Sequence, residues 1–372
     1  MKTRVFNDSD IHDYALNRLF GSNVSVDDVS RIELHNGILP SELESLVSTR
    51  MGDGVTVVNQ RNGREPILFH SGVLFIPQYS GFGRRERYEE MIEAFVQISG
   101  KDIKFESKER KDDPRETNVA FDNLAYDFTM GLFVPSERYD AWRIFPEHDI
   151  GEIRKIIFGP TSAVAKQSDV VAKGESEYLD AQIIEVEGER ILNLGYVYSD
   201  QVGILLDKIT REYDAIGRRN GGVALRVGML GRVGGLAYGM QRHDLVFPHG
   251  IIDEVDLETL DGSKVYPIHN RMIGENGHRG VNLNVTSVIN ESPEDLRLAR
   301  DLGCVCVEME VRESVEAINR ARRRYHNNLN VGFGFVGHVS DLPLQGDTLA
   351  KELDSDKGER NAVRAVLYGL TH

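Results

Sequence analysis

Two apolar runs in the C-terminal half of the chain end in acidic residues. The first run, Cys304–Val307, is followed by Glu308–Glu310, and the second, Val331–Val339, is followed by Ser340–Asp341. Apolar runs of this length are typical of strands that are buried on both faces of a parallel sheet. The pattern therefore predicts two core strands whose carboxyl ends are acidic.

These strand-end acids predict where a ligand would bind. Ligands of open α/β sheets bind beyond the carboxyl ends of the strands. We therefore expect Glu308, Glu310 and Asp341 to converge on one crevice, with Met309 as an apolar wall between them. A single strand-end acid is explained as well by a solvated side chain or by a helix cap. Three acids on two strand ends favour a binding site.

Strands and helices alternate along the rest of this half of the chain. The pattern predicts strands at Ile153–Phe158 and Val223–Val227, the second followed by a glycine-rich turn, Gly228–Gly235. Apolar residues at helical spacing predict helices at Arg312–Tyr325 and Asp356–Leu370. Alternation of this kind predicts a three-layer α/β domain with a central, mostly parallel mixed sheet.

The length of the chain predicts two domains. With 372 residues, a single hydrophobic core no longer grows efficiently. The segment Phe145–Gly151 combines proline, glycine and acidic residues, and the regular alternation begins after it. We therefore expect an α+β domain of unknown role at residues 1–150 and the α/β domain at residues 151–372.

Composition narrows the class of partner. The chain is 40% hydrophobic and 28% charged, with a formal net charge of -15, which argues against nucleic acid or an anionic membrane as the main partner. Its two cysteines, Cys304 and Cys306, lie within one apolar strand, which suggests a reducing compartment. The segment Met1–Val5 leads into polar sequence, and no apolar stretch approaches the ~20 residues of a membrane span. We expect a cytoplasmic protein.

Several common types of site are not indicated. The histidines have no spacing that specifies zinc, so no metal is expected. The sequence has no Gly-x-Ser-x-Gly elbow, no Walker loop and no dinucleotide-binding glycine motif after a first strand. We therefore expect no bound cofactor.

The strand-end motifs resemble those of a known enzyme group. Val307-Glu308-Met309-Glu310, Ser340-Asp341 and the strand and turn Leu225–Gly228 with Gly231 resemble the nucleoside phosphorylase and nucleosidase superfamily. That superfamily includes purine nucleoside phosphorylases, uridine phosphorylase, and the methylthioadenosine and AMP nucleosidases. The resemblance extends from Ile153 to the C-terminus, with the strand that ends at Gly159 first and the last helix as the closing element.

The resemblance implies roles for the acidic residues. Glu310 would bind the ribose hydroxyls through charge-assisted hydrogen bonds, and Met309 would pack on the sugar. Asp341 would protonate the purine leaving group as a general acid, which requires a raised pKa. Glu308 and Ser340 would complete the substrate-binding side of the site.

The phosphate site that the resemblance implies is incomplete. Arg226 matches one of the family's two phosphate-binding arginines, and the backbone at Gly159 and Gly228 would approach the anion closely. Ala163 stands where the first arginine is expected, and Met229 replaces a hydroxyl residue. Arg232, further along the chain, either compensates or faces solvent.

The resemblance thus implies cleavage of a purine nucleoside by phosphate, with release of the base and ribose 1-phosphate and with phosphate as co-substrate. Two alternatives stay open: a nucleosidase that uses water, similar to AMP nucleosidase, and a non-catalytic nucleoside- or nucleotide-binding protein with a decayed phosphate site. The resemblance also implies a homo-oligomer, either a dimer or a hexamer.

Overall fold

In the computed structural model the chain forms two compact units, one of residues 6–136 and the other of residues 1–5 and 137–372. The residues that the structure describes are 8–20, 24–36, 49, 55–58, 67–78, 82–109, 124–127, 132–135, 145, 147–175, 180–195, 200–257, 265–270, 272, 277–285, 291–347 and 356–372.

The first unit combines helices with a five-stranded sheet, as the predicted α+β class requires. Its helices are α1 (Asp8–Leu19), a 3₁₀ turn (Val26–Asp28) and α2 (Phe82–Ser99). Its strands are β1 (Arg31–Asn36), β2 (Thr56–Val58), β3 (Ile67–His70), β4 (Val73–Gln78) and β5 (Lys104–Glu109), in the order β2-β3-β4-β1-β5. A separate pair of antiparallel strands is formed by β6 (Leu124–Asp127) and β7 (Leu132–Pro135).

The second unit is a ten-stranded mixed sheet with helices. Its strands are β8 (Lys155–Phe158), β9 (Asp169–Glu175), β10 (Asp180–Val186), β11 (Glu189–Asn193), β12 (Val223–Gly235), β13 (Leu245–Asp253), β14 (Tyr266–Pro267), β15 (Gly277–Asn284), β16 (Cys304–Glu308) and β17 (Leu329–Asp341). Its helices are α3 (Thr161–Ala165), α4 (Asp200–Asn220), α5 (Glu254–Leu257), α6 (Pro293–Asp301), α7 (Val311–Tyr325) and α8 (Asp356–Thr371), with 3₁₀ turns at Ile150–Glu152 and Pro343–Gln345.

Helices cover both faces of this sheet, which confirms the predicted three-layer α/β class. Alternate residues of β12 enter different cores: Val227 packs in the core that includes residues of α4 and α7, whereas Leu230 packs with residues of α3 and α8. The sheet is mixed, and its longest pairings, β12 with β17 and β13 with β15, are parallel. The sequence pattern succeeds for β16 and β17 because nearly every residue of these two strands is buried, on both faces of the sheet.

The predicted glycine-rich turn after Val227 is wrong. Residues 228–235 continue the strand, so β12 runs for 13 residues. A Cβ at Gly228 would lie 2.8 Å from Cγ1 of Val366, and one at Gly231 would lie 2.8 Å from the ring of Phe335. The glycines therefore allow α8 and a neighbouring strand to pack closely on β12, which is the usual meaning of glycine inside a strand.

The carboxyl end of β12 positions the acidic residues. Gly234 is paired with Val307 of β16 on one side and with Asp341 of β17 on the other. Because neighbouring strands lie about 4.8 Å apart, the backbones of Asp341 and Val307 are separated by about 10 Å. The two predicted acidic strand ends therefore meet at one end of the sheet.

Candidate active site

Asp341 ends β17 and is buried, with 5% of its surface exposed. Burial raises the pKa of Asp341 to about 7, and the hydrogen bond from Ser340 is the largest effect that opposes this rise. The charge of Asp347 adds to the rise, and the charge of Arg242 opposes it. Asp347 is itself held by the guanidinium of Arg242, whose Nε donates to it at 2.5 Å. Asp341 therefore exchanges its proton near neutral pH, which is the property required of a general acid.

Ser340 can hydrogen-bond to Asp341 in either protonation state of the carboxyl group. Its hydroxyl oxygen lies 2.7 Å from Oδ1 of Asp341 and 3.3 Å from the carbonyl oxygen of Val233. A serine hydroxyl has one proton and can donate it to only one of the two. When that proton goes to Val233, a protonated Asp341 can donate to Ser340, so the pair accommodates both states of the carboxyl group.

Glu308 ends β16 and is also buried. Its Oε2 accepts a hydrogen bond of 2.6 Å from the backbone N–H of Glu310, and both of its oxygens lie 3.0 Å from the backbone nitrogen of Val311. The side chain of Asn282 donates to Oε1 at 2.9 Å. Burial and the charge of Glu310 raise the pKa of Glu308 to about 8, while these N–H donors oppose the rise.

Glu310 and Met309 form the turn between β16 and α7. Glu310 occupies the N-cap position of α7, but its side chain makes no capping hydrogen bond. Both side chains are partly exposed, and Met309 packs against the core that contains Val307.

A second polar group at this edge of the sheet was not singled out by sequence reasoning. Asp253 ends β13, where it accepts hydrogen bonds from Asn284 at 3.2 Å and is paired with Arg312 at 3.0 Å. Burial raises the pKa of Asp253, against the effect of Arg312. The Oδ1 of Asn284 is buried without a hydrogen-bond partner among the described residues. Asp253 follows an apolar strand, so the rule that found Glu308 could have found it.

Arg226 lies near the start of β12, far from these acids. It is paired with Gly332 and Lys155, whereas Asp341 is paired with Gly234, eight residues further along the strand. The Nη1 of Arg226 donates at 3.1 Å to the carbonyl oxygen of Leu370, in the last turn of α8. The structure therefore places Arg226 at a helix C-terminus, where a cation stabilises unpaired carbonyl groups.

Arg232 lies on the same face of β12 as Arg226, at the other end of α8. Its Nη2 is 2.5 Å from Oε1 of Glu359, with which it forms an ion pair. Its register partner, His338, is buried against Gly358, and burial followed by the charge of Arg232 lowers the pKa of His338 to about 3. Arg232 is therefore paired with an acidic residue of α8, and His338 packs against the same helix.

The other residues at which the sequence analysis placed the phosphate site pack against neighbouring side chains. A Cβ at Gly159 would lie 2.4 Å from Cδ1 of Leu230, so this glycine admits a side chain of β12 rather than open space. Ala163 is buried in α3. Met229 is buried on the opposite face of β12 from Arg226, where the hydroxyl of Ser314 lies 3.2 Å from its sulfur. The structure brings the acids together but does not gather the phosphate-binding positions around an anion.

No group of metal-binding side chains occurs among the residues that the structure describes. Within the same residues, no helix is long and apolar enough to cross a membrane.

No protein-family model matches the chain, and no curated protein matches it. Solved structures do match. A purine nucleoside phosphorylase from Toxoplasma gondii, in complex with immucillin-H, is 14% identical, with 59% of this chain and 90% of that chain covered and a TM-score of 0.42. A uridine phosphorylase from Vibrio fischeri ES114 is 16% identical, with 60% and 94% covered and a TM-score of 0.42.

A 5′-methylthioadenosine/S-adenosylhomocysteine nucleosidase from Neisseria meningitidis is 14% identical, with 58% of this chain and 97% of that chain covered and a TM-score of 0.40. All three identities are below 25%, and all three TM-scores are below 0.5.

Proposed function

We propose that residues 151–372 cleave the N-glycosidic bond of a nucleoside, with a purine as the favoured base. The observation behind this proposal is the meeting of two buried strand ends at Gly234, one ending in Asp341 and the other leading to Glu308 and Glu310. Carboxyl groups with raised pKa values, brought together at one end of a sheet, are characteristic of sites for acid–base chemistry.

The chemistry matches these residue types. As the glycosidic bond breaks, positive charge develops on the ribose and negative charge on the departing base. Asp341 donates its proton to the base, and general acid catalysis of this kind is typically worth ~10²- to 10⁴-fold in rate. Glu310 accepts hydrogen bonds from the ribose hydroxyls and is negatively charged close to the developing cation. Met309 packs on the sugar.

Water is the nucleophile that the contacts favour. Phosphate binding requires cationic groups that are available to an anion, and the two arginines proposed from the sequence have other partners: Arg226 donates to Leu370, and Arg232 is paired with Glu359. Phosphorolysis is the second candidate, and it is supported by the match of residues 225–228 and Gly231 to the family motif.

The test is release of base from purine and pyrimidine nucleosides and their monophosphates, with and without added phosphate. Release that is independent of phosphate would support the nucleosidase, whereas release that requires phosphate would establish a phosphorylase. Binding without any release would favour a non-catalytic nucleoside-binding protein. If nothing binds and nothing is released, the proposed function is wrong.

A further inference from the structure

The hydrogen-bonding positions of the Glu308 carboxyl group are occupied by N–H groups of the protein itself. Its two oxygens receive four N–H contacts at 2.6–3.0 Å: one from Glu310, one from Asn282 and a shared pair from Val311. A carboxylate offers about four lone-pair positions, so these contacts leave none for a hydroxyl group of a ligand. The substrate-binding role that the motif assigns to Glu308 therefore conflicts with its contacts.

Asn282 is held in one orientation by a buried thiol. The Sγ of Cys306 lies 3.1 Å from Oδ1 of Asn282, and neither residue is exposed to solvent. Burial raises the pKa of Cys306 well above its usual value, so the thiol keeps its proton and can donate it. With its oxygen accepting from Cys306, the amide group of Asn282 presents its N–H groups to Glu308.

The two backbone N–H groups that Glu308 binds belong to the turn that presents Glu310. Val311 is the first residue of α7, and Glu310 precedes it, so both N–H groups are among those that a helix leaves without a partner inside itself. The Glu310 side chain does not cap α7. The Glu308 carboxyl group takes over this capping by accepting hydrogen bonds from these two N–H groups.

We propose that Asn282 and Glu308 are positioning residues that fix the backbone of Glu310 so that its carboxylate meets the ribose. This inference deepens the proposed function and rests on it for the role of Glu310. Neither residue contacts the substrate: Asn282 orients Glu308, and Glu308 fixes the turn. The path consists of three consecutive hydrogen-bonded contacts, from Cys306 to Asn282, to Glu308 and to the N–H groups of Glu310 and Val311.

Binding measurements test this path through a double-mutant cycle. The probes are 9-deazaadenosine and 9-deazainosine, whose carbon–carbon glycosidic bonds are not cleaved, and the free base 9-deazaadenine as the ligand without ribose. Glu308→Gln is expected to weaken nucleoside binding about tenfold, the scale of a charge-assisted hydrogen bond, and to leave base binding unchanged. In a Glu310→Ala background the same substitution is expected to cause no further loss.

Persistence of the tenfold loss in the Glu310→Ala background would show that Glu308 acts on the ligand directly and would overturn the proposal. Asn282→Leu is expected to reproduce the effect of Glu308→Gln. Cys306→Ser, which keeps a donor, is expected to bind as the unsubstituted protein does, whereas Cys306→Val is expected to weaken nucleoside binding. Equal effects of the two Cys306 variants would remove Cys306 from the path.

Amide hydrogen exchange separates this inference from the proposed function, because it needs no ligand. Glu308→Gln is expected to speed exchange at the N–H groups of Glu310 and Val311 by tenfold or more, with α4 unchanged. Asp207→Asn, which removes an exposed acid of α4 that is paired with Arg320, is the matched control. Unchanged exchange at Val311 would overturn the positioning role, even if nucleosides bind. Faster exchange in a protein that binds none of the nucleosides would support the positioning of the turn and reject the proposed function.

Discussion

The family resemblance singled out residues in two regions, the acidic end of the sheet and the arginine-bearing face of β12. The contacts of these residues differ between the two regions. At the acidic end, Asp341 and Glu308 are buried, have raised pKa values and end the two strands that pair with β12 at Gly234. On the arginine-bearing face, Arg226 and Arg232 bind the two ends of α8. The acids have properties that suit catalysis, whereas the arginines stabilise a helix on the sheet.

This difference shows which motif residues can be placed in a site from their position in the sequence alone. A residue at the end of a buried strand is placed by the backbone pairing of that strand: Asp341 pairs with Gly234 in the parallel β12–β17 ladder, and Val307, next to Glu308, pairs with Gly234 in the antiparallel β12–β16 ladder. A long arginine side chain is placed by whatever packs on its face of the strand. Here that element is α8, and the sequence of β12 gives no information about it.

The strongest test of the acidic end is Asp341→Asn. We expect turnover to fall by ~10²- to 10⁴-fold, because the amide cannot donate a carboxyl proton to the leaving base. Nucleoside affinity is expected to stay within about threefold, since the side chain keeps its shape. Single-turnover base release and equilibrium binding measure the two effects. The control, Asp207→Asn, removes an equal charge from an exposed ion pair, and a similar loss of turnover there would point to a general electrostatic effect.

Glu310→Gln should have the next largest effect. The charged hydrogen bonds to the ribose already form in the bound substrate, and the carboxylate also stabilises the positive charge that develops on the ribose in the transition state. We therefore expect affinity and turnover to fall together, each by about 10- to 100-fold. Nucleoside titration and steady-state kinetics distinguish this pattern from that of Asp341→Asn. A loss confined to turnover would instead make Glu310 a group that acts only in the transition state.

The pH dependence follows from the raised pKa of Asp341. Turnover requires the protonated acid, so the rate is expected to be constant below about pH 7 and to fall tenfold for each pH unit above it. Stability should change in the same direction. The folded state binds a proton that the unfolded state has already released, so stability falls by ~1.4 kcal/mol per unit as the pH rises from the ordinary aspartate pKa towards 7.

Asp341→Asn removes this penalty, since an amide does not ionise. Its melting temperature at pH 8 should therefore exceed that of the unsubstituted protein, with no difference near pH 4. Thermal unfolding at both pH values provides the measurement. An equal melting temperature at pH 8 would mean that the pKa of Asp341 is not raised in the folded state.

The sequence was sufficient to locate the acidic end of the sheet, because it was enough to recognise which segments are strands and where they end. It predicted β16 and β17 from their apolar runs, and the structure places Asp341 and Glu308 beside Gly234. It failed on residues 228–235, where glycine was taken to mark a turn. Those glycines instead allow close packing between elements that are distant in sequence, as Gly228 does with Val366, and a local pattern does not report such contacts. Asn282 was missed for a similar reason, because its importance comes from partners on another strand.

Arg226→Gln is expected to have the smallest effect on turnover. A large effect would remove the contrast between the acidic end and the arginine-bearing face of β12. We expect turnover to change by less than about threefold, and the free energy of unfolding to fall by about 1 kcal/mol, because the shorter side chain loses its hydrogen bond to the carbonyl oxygen of Leu370. Arg232→Gln, which breaks the ion pair with Glu359, is the matched variant at the other end of α8. Base release with and without phosphate, together with denaturant unfolding, measures both quantities. A hundredfold loss of phosphate-dependent release in Arg226→Gln would show that this arginine leaves α8 to bind the anion, and phosphorolysis would then displace hydrolysis as the favoured reaction.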